Sequence, residues 1–344
     1  MFLTGLKLDV PSWVAIEINR RYLQLARTVM MDVQPVTRRE AARVIAAGTA
    51  GLLLPFGSST LAAAGKGSSL IRRAVPKTGE KLPVMGLGSA VAFDVPNKPA
   101  RLQPLEQVLA LFVKSGGKVI DSSPMYGNAE EVIGKLAAQT GVARSLFIAT
   151  KVWTNGRQQG IDQMEQSLVR FKTRKIDLMQ VHNLADVDTH MGTLRTWKSQ
   201  GRIRYTGITY SESSGHAEVE RIMKSQRPDF VQINYSMVDR AADQRILPLA
   251  QQLGMGVIIN RPFGGGPILG HLAGKPLPSW AAEFDCHSWA QFLLKWIIAH
   301  PAVTCVIPAT ANPGHLVDNM KAGLGRLPDA KTRQRMASLF VGFT

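Results

Sequence analysis

The chain has 344 residues, a formal net charge of +16 and 45% hydrophobic residues, enough apolar content for a large core. No linker or low-complexity run divides residues 70–344, so one domain is expected there. Residues 1–64 contribute only +3, and the remaining +13 favours anionic ligands or surfaces. The Lys and Arg are scattered among helices, as in Arg170–Lys175, with no basic stripe interleaved with aromatics, which argues against nucleic acid.

Residues 1–29 match no signal pattern, and Met30 or Met31 offers an internal start. Thr37-Arg38-Arg39-Glu40-Ala41-Ala42-Arg43 then precedes an uncharged, small-residue stretch, Val44–Thr60, and the run Leu61-Ala62-Ala63-Ala64-Gly65. That is a charged region, a weakly apolar region and an A-x-A cleavage site in order, over residues 30–64. The paired Arg38 and Arg39 resemble a twin-arginine export signal. The resemblance implies the twin-arginine machinery as a partner and delivery of a folded protein to the periplasm; a leader left unused implies a cytoplasmic protein. A membrane anchor needs about 20 strongly apolar residues. Gly48, Thr49, Gly51, Pro55, Gly57 and two serines dilute this run, so no stable anchor is expected. An Ala-rich tail that is never cleaved is the other reading.

From residue 70 onward, β-rich apolar cores recur at Val84–Leu87, Val119–Asp121, Phe147–Thr150, Leu178–His182, Thr206–Thr209, Phe230–Asn234, Val257–Asn260 and Thr304–Ile307. Helix-like segments lie between them at Pro104–Lys114, Asn128–Gln139, Gln163–Lys172, Ala217–Lys224 and Ala241–Leu253. In the third of these, Met164, Leu168 and Phe171 fall at i, i+4 and i+7, one face of a helix. Short apolar strands alternating with amphipathic helices predict a parallel sheet covered by helices. Eight such strands predict a single-domain α/β fold, a closed (β/α)8 TIM barrel over residues 70–344, with a doubly wound open sheet as the alternative. Gly264–Ala282, rich in Gly and Pro, reads as an inserted loop over the barrel mouth. Cys286 and Cys305 have no metal-ligand spacing; a buried free thiol is expected at Cys305, with a Cys286–Cys305 disulfide as the alternative.

Three of the strand cores end in chemically active side chains. Val119-Ile120-Asp121 leads through Ser122-Ser123-Pro124-Met125 to Tyr126, Phe147-Ile148-Ala149-Thr150 leads to Lys151, and Leu178-Met179-Gln180-Val181 leads to His182. Endings spaced by one βα repeat converge on one site in a barrel. Singly, the acid reads as a turn cap, the phenol as a rim residue and the histidine as structural; together they read as one catalytic group.

Those residues carry a resemblance. From about Gly79 to Lys321 the chain resembles an aldo-keto reductase. Gly79–Gly88 is similar to that family's N-terminal hairpin and first strand. Asp121 and Tyr126 match its D-x-x-x-x-Y-G motif, Lys151 its T-K, and His182 the histidine ending its fourth strand. Gln232 matches its nicotinamide-side glutamine, and Ile307-Pro308 with His315 and Asp318-Asn319 its adenosine-phosphate segment. The resemblance implies an NAD(P)H-dependent oxidoreductase that reduces an aldehyde or ketone by hydride transfer.

The side chains suit that chemistry. The developing alkoxide needs an acid, and Tyr126 is the only phenol near the three strand ends. An ordinary tyrosine titrates near ~10, and a cationic Lys151 beside it favours the phenolate. Asp121 keeps Lys151 charged and oriented, His182 donates to the carbonyl oxygen, and Trp153 lines the substrate pocket.

Cofactor contacts depart from the family pattern. Gly86-Leu87-Gly88 lacks the third glycine and helix start of a Rossmann fingerprint. Arg261 and Gly264-Gly265-Gly266 after the seventh strand, and Thr310–Asn319 after the eighth, occupy a barrel's usual phosphate-handling loops. Asn260 stands where the family stacks a tyrosine on the nicotinamide, and Thr209 and Tyr210 replace its Ser-Asn pair. Ala309 and His315 stand where many NADP-dependent members carry Lys and Arg, with Thr310 and Asn319 beside them. NADP(H) is expected over NAD(H), by weak preference, and no metal is expected. A metal-dependent hydrolase on the same barrel would need clustered His and Asp/Glu at strand ends, where only His182 qualifies. A reductase-like redox sensor or partner subunit, binding cofactor with little turnover, fits the altered nicotinamide contacts.

Overall fold

The computed structural model describes residues 69–342; the leader reading, with Arg38 and Arg39, lies outside the described residues. A short antiparallel hairpin, β1 (Arg72–Ala74) and β2 (Lys81–Pro83), comes first. Eight parallel strands follow: β3 (Leu87–Gly88), β4 (Val119–Asp121), β5 (Phe147–Val152), β6 (Ile176–His182), β7 (Ile203–Thr209), β8 (Phe230–Asn234), β9 (Gly256–Asn260) and β10 (Cys305–Val306).

The sheet meets itself. Met85 and Gly88 bridge in parallel to Val306 and Ala309. The Gly86 N–H donates to the Val306 carbonyl at 2.8 Å, and the Val306 N–H to the Val84 carbonyl at 2.9 Å. A Cβ at Gly88 would stand 2.7 Å from the Ile307 carbonyl oxygen, so this seam requires a residue without one. The chain is a (β/α)8 barrel, and the open-sheet alternative falls.

Ten helices among the described residues are α1 (Pro99–Lys114), α2 (Ala129–Gln139), α3 (Arg157–Phe171), α4 (Val187–Ser199), α5 (His216–Gln226), α6 (Ile246–Gln252), α7 (Pro267–Leu272), α8 (Trp289–Ile298), α9 (Pro313–Lys321) and α10 (Ala330–Ser338). None is long and apolar enough to cross a membrane. Met164, Leu168 and Phe171 form the buried face of α3, as their spacing predicts. Helix α1 starts at Pro99 rather than Pro104, because a proline fits the first turn, where its missing N–H is not used. The expected helix Ala241–Leu253 is split into a 3-10 turn, Ala241–Asp243, and α6, broken at Arg245 with φ of −138°. The Gly264–Ala282 insertion holds α7 and the start of a 3-10 segment, Ser279–Phe284, which bury Ile268, Leu272 and Phe284.

The barrel interior is filled by Val119, Phe147, Leu178, Tyr205, Phe230, Ile258 and Cys305, joined by Val75 and Leu82 from the hairpin. The hairpin thus plugs the N-terminal end. Arg73 fixes the plug by donating to the carbonyls of Ile298, His300 and Val303, at and just beyond the C-terminus of α8, where a cation also meets the helix dipole favourably. Arg204 ties Glu80 of the plug to Asp177 on β6. Cys286 and Cys305 are free and buried, so the disulfide alternative is not what the structure holds.

Candidate active site

Parallel strands of a barrel all end on one rim, so the inward side chains at their ends share one space. Register sets their levels. Lys151 on β5 lies beside Gln180 on β6, His182 beside Thr209 on β7, and Thr209 beside Gln232 on β8.

The centre is an ion pair with almost no solvent. Lys151 Nζ lies 2.6 Å from Asp121 Oδ2 and also donates to the Ser122 carbonyl at 2.6 Å. Asp121 Oδ1 accepts from Gln180 Nε2 at 3.1 Å and from Gln232 Nε2 at 2.7 Å. A buried carboxylate with a cation and two amides has its lone pairs matched, which is what makes burying the charges tolerable. Burial alone would push the Lys151 ammonium down, but Asp121 and the Tyr126 phenol outweigh it and hold it above its ordinary value.

Tyr126 reaches this cation from the turn between β4 and α2. Lys151 Nζ stands 5.0 Å from the Tyr126 ring centroid, close enough for the phenol to help hold the ammonium above its ordinary value. The turn is fixed locally: the Tyr126 N–H donates to the Ser123 carbonyl at 3.0 Å, and Gly127 takes a φ of +55°. A Cβ there would fall 2.2 Å from Asp94 Oδ1, the same oxygen that accepts the Asn128 N–H at 3.1 Å. Asp94 thus binds the first βα loop to the turn that carries Tyr126.

His182 closes the group, its ring 5.9 Å from that of Tyr126 and edge-on to it. Burial, then the nearby Lys151 cation, push its pKa well below the usual imidazole value, so it is neutral near pH 7. Its Nδ1 lies 3.0 Å from Ser123 Oγ. The backbone after it is strained, with Asn183, Leu184 and Asp186 at φ of 51°, 56° and 44°, a region non-glycine residues rarely adopt and one that clusters at functional sites.

Trp153, whose ring is 6.4 Å from His182, sits on a loop tied at three successive points. Gln163 of α3 accepts the Trp153 N–H at 2.5 Å and donates to its carbonyl at 3.1 Å. His190 of α4 bonds the Thr154 carbonyl through Nε2 at 2.7 Å, and the Gly156 N–H donates to Asp186 at 2.8 Å. The wall beside His182 is therefore rigid.

The sequence-expected cofactor residues divide into two groups. Thr209, Gln232 and Asn260 come together: Thr209 Oγ1 donates to Gln232 Oε1 at 3.0 Å and Asn260 Nδ2 to the same oxygen at 3.4 Å. Asn260 Oδ1 is buried without a hydrogen-bond partner among the described residues. An orphaned acceptor at this strand end fits a ligand that brings an amide or hydroxyl donor. Tyr210 contributes its carbonyl to Asn260 Nδ2 at 3.3 Å, while its ring packs over Gly215 at the start of α5. Arg261 takes a φ of 46° and lies 3.9 Å from Glu212, with Gly264 following at a φ of 59°. Beyond β10, Thr310 and Asn319 are buried and His315 is exposed. At the start of α9, Asn312 Oδ1 accepts the N–H groups of Gly314 and His315 at 2.7 and 3.3 Å, so these two donors are already taken.

Sequence reasoning missed Gln180, Ser123, Gln163, His190 and Asn312. Only Gln180 carried a signal, being a polar residue two before His182 and so on the same face of β6.

Comparison with known proteins agrees with this geometry. The model of the "Aldo/keto reductase family" matches residues 84–337. The chain is 29% identical over 215 residues to "Methylglyoxal reductase YeaE" of Escherichia coli (strain K12), spanning 60% of this chain and 74% of that one. It is 28% identical over 251 residues to an "Aldo-keto reductase" of Mycobacterium sp. (strain JLS), spanning 70% and 83%. In fold it is similar to an aldo/keto reductase from Klebsiella pneumoniae crystallised with NADP and acetate, with a TM-score of 0.66 and 24% identity over 76% of this chain and 93% of that one.

Proposed function

Since the chain belongs to the aldo/keto reductase family, we propose that it reduces an aldehyde or ketone to the alcohol, with Tyr126 as proton donor. The observation that carries this reading is the Tyr126 ring set 5.0 Å from the ammonium of a buried Lys151 that Asp121 pairs at 2.6 Å. A nicotinamide cofactor, when bound, supplies the hydride to the carbonyl carbon. Tyr126 gives its hydroxyl proton to the carbonyl oxygen, and the Lys151 cation stabilises the phenolate left behind. Neutral His182 donates a hydrogen bond to the same oxygen and orients the carbonyl. Trp153 forms the substrate wall.

Thr209, Gln232 and Asn260, with the Tyr210 backbone, are assigned to the nicotinamide carboxamide, since Asn260 Oδ1 lacks a partner. Arg261 and Gly264 are assigned to the pyrophosphate, and Thr310, His315 and Asn319 to the adenosine end. NADP(H) is preferred over NAD(H), weakly, because Asn312 has already taken two backbone donors of α9. The paired Arg38 and Arg39 support export to the periplasm by the twin-arginine route, with the cofactor loaded first.

A second reading, cofactor binding with little turnover, has Asn260 in its favour, since an amide there offers no ring to stack on the nicotinamide. Titration with NADPH and NADH, followed by carbonyl-dependent oxidation across small aldehydes including methylglyoxal, separates the two. Turnover is expected; tight binding without turnover would establish the second reading instead.

A further inference from the structure

A neutral imidazole carries one proton, and the nitrogen that holds it decides whether the other end of the ring donates or accepts. His182 has its Nδ1 3.0 Å from Ser123 Oγ in a fully buried contact, and Nε2 takes no hydrogen-bond partner among the described residues. Whatever selects the tautomer must therefore act through Ser123.

The serine has one hydrogen and two lone pairs. One lone pair is used by the Met125 N–H, 3.3 Å from Oγ. If Nδ1 carried the imidazole proton, it would donate to Oγ, and the serine hydrogen would be left buried without an acceptor. If Nδ1 is bare, the serine hydrogen goes to it and every group is matched. Ser123 is itself fully buried, so water does not rescue the first arrangement. We infer that Ser123 is a positioning residue: the bond from its hydroxyl to Nδ1 holds His182 as the Nε2–H tautomer, leaving a hydrogen-bond donor toward the substrate oxygen. The Met125 amide has a part in this, because it fixes the rotation of the serine hydroxyl and belongs to the turn that delivers Tyr126. The proton donor and the hydrogen-bond donor are thus set by one turn, residues 122–127.

This inference rests on His182 acting at the carbonyl oxygen, and the test keeps the two apart. In the full-length protein labelled with nitrogen-15, long-range proton–nitrogen spectra show which imidazole nitrogen bears the proton; His182→Asn assigns the signal by removing it. With and without NADPH, the wild type is expected to carry the proton on Nε2. Ser123→Ala should shift the population toward Nδ1–H, and kcat should fall roughly tenfold, the weight of a single hydrogen bond, with a smaller change in KM and cofactor Kd. Ser123→Thr, which keeps the hydroxyl, should restore the tautomer and most of the rate. A wild-type proton on Nδ1, an unchanged tautomer in Ser123→Ala, or an unchanged kcat despite a changed tautomer overturns the inference. Should Ser123→Ala fail to fold, the wild-type spectrum still decides the tautomer and Ser123→Thr the need for the hydroxyl. A correct tautomer in a protein without turnover would instead count against the reductase reading alone.

Discussion

Lys151 Nζ and Asp121 Oδ2 stand 2.6 Å apart with side chains 0% and 3% exposed, on adjacent strands of the barrel. The pair has no solvent to fall back on, so removing either partner leaves a buried charge uncompensated. Its value to the protein lies in what it does to the phenol beside it.

Tyr126→Phe keeps the ring and its packing while removing the proton. Cofactor affinity should stay near wild type and carbonyl reduction should fall by roughly 10²–10⁴, the usual contribution of a positioned acid. Lys151→Met should lower turnover comparably. Aldehyde reduction by the Phe variant at the wild-type rate would remove Tyr126 from the mechanism.

Gln163→Leu should loosen the Trp153 wall. The Trp153 N–H and carbonyl lose their only clamp from α3, a loss of about 1–3 kcal/mol for partly buried backbone groups left unmatched. The carbonyl KM should rise while the NADPH Kd stays put. Steady-state kinetics with a small and a bulky aldehyde measure this; an unchanged ratio of kcat/KM between them speaks against a rigid wall.

The preference for NADPH should be modest, because Asn312 has already taken two backbone donors at the start of α9. The ratio of NADH to NADPH dissociation constants reads this directly. His315→Ala should lower it further. A strong preference that survives the substitution transfers the role to another residue, with Arg261 the first to test.

Two histidines with depressed values, buried His182 and half-buried His300, contribute to acid stability. Burial and then Lys151 hold His182 well below the imidazole range, and burial and then Arg333 take His300 down to about 4. Both folded values are depressed, so the unfolded chain takes up protons that the folded chain refuses. This stability is complete above the unfolded value of ~6.5 and is lost as pH falls below it. Between about pH 6.5 and about pH 4.5 His300 alone should contribute up to one proton, about 1.4 kcal/mol per pH unit, and His182 adds to the loss in the same direction. Urea midpoints across that window test it, with His300→Gln expected to lower the slope; stability independent of pH there defeats the assignment.

Replacing Arg38 and Arg39 with lysine should leave a folded, unprocessed protein in the cytoplasm, read by fractionation and N-terminal sequencing. Periplasmic delivery of that variant at the normal level argues for another route.

The strand ends were legible because each joins a β-rich apolar run to one reactive side chain, as in Ile120-Asp121 and Val181-His182. Repetition with a helix between made the barrel legible too. Gln163 and His190 were not, since both sit on amphipathic helices where a polar residue ordinarily faces water; here loop backbone occupies that space. Asn312 shows the opposite difficulty. Its place before Pro313 marks a helix start, but that its oxygen takes the first-turn N–H groups is a matter of side-chain geometry.

The barrel seam has a dynamic consequence. β3 and β10 contribute two residues each, and isolated bridges at Met85 and Gly88 close the ring between them, whereas β6 and β7 run seven residues each in register. Opening events begin where the fewest bonds must break together, so amide exchange at Gly86, Gly88 and Val306 should outpace that along β6 and β7. The loop leaving β10 carries Thr310, Asn312 and His315. A dinucleotide lying across that loop would act as a staple on the joint, slowing exchange there more than anywhere else in the sheet.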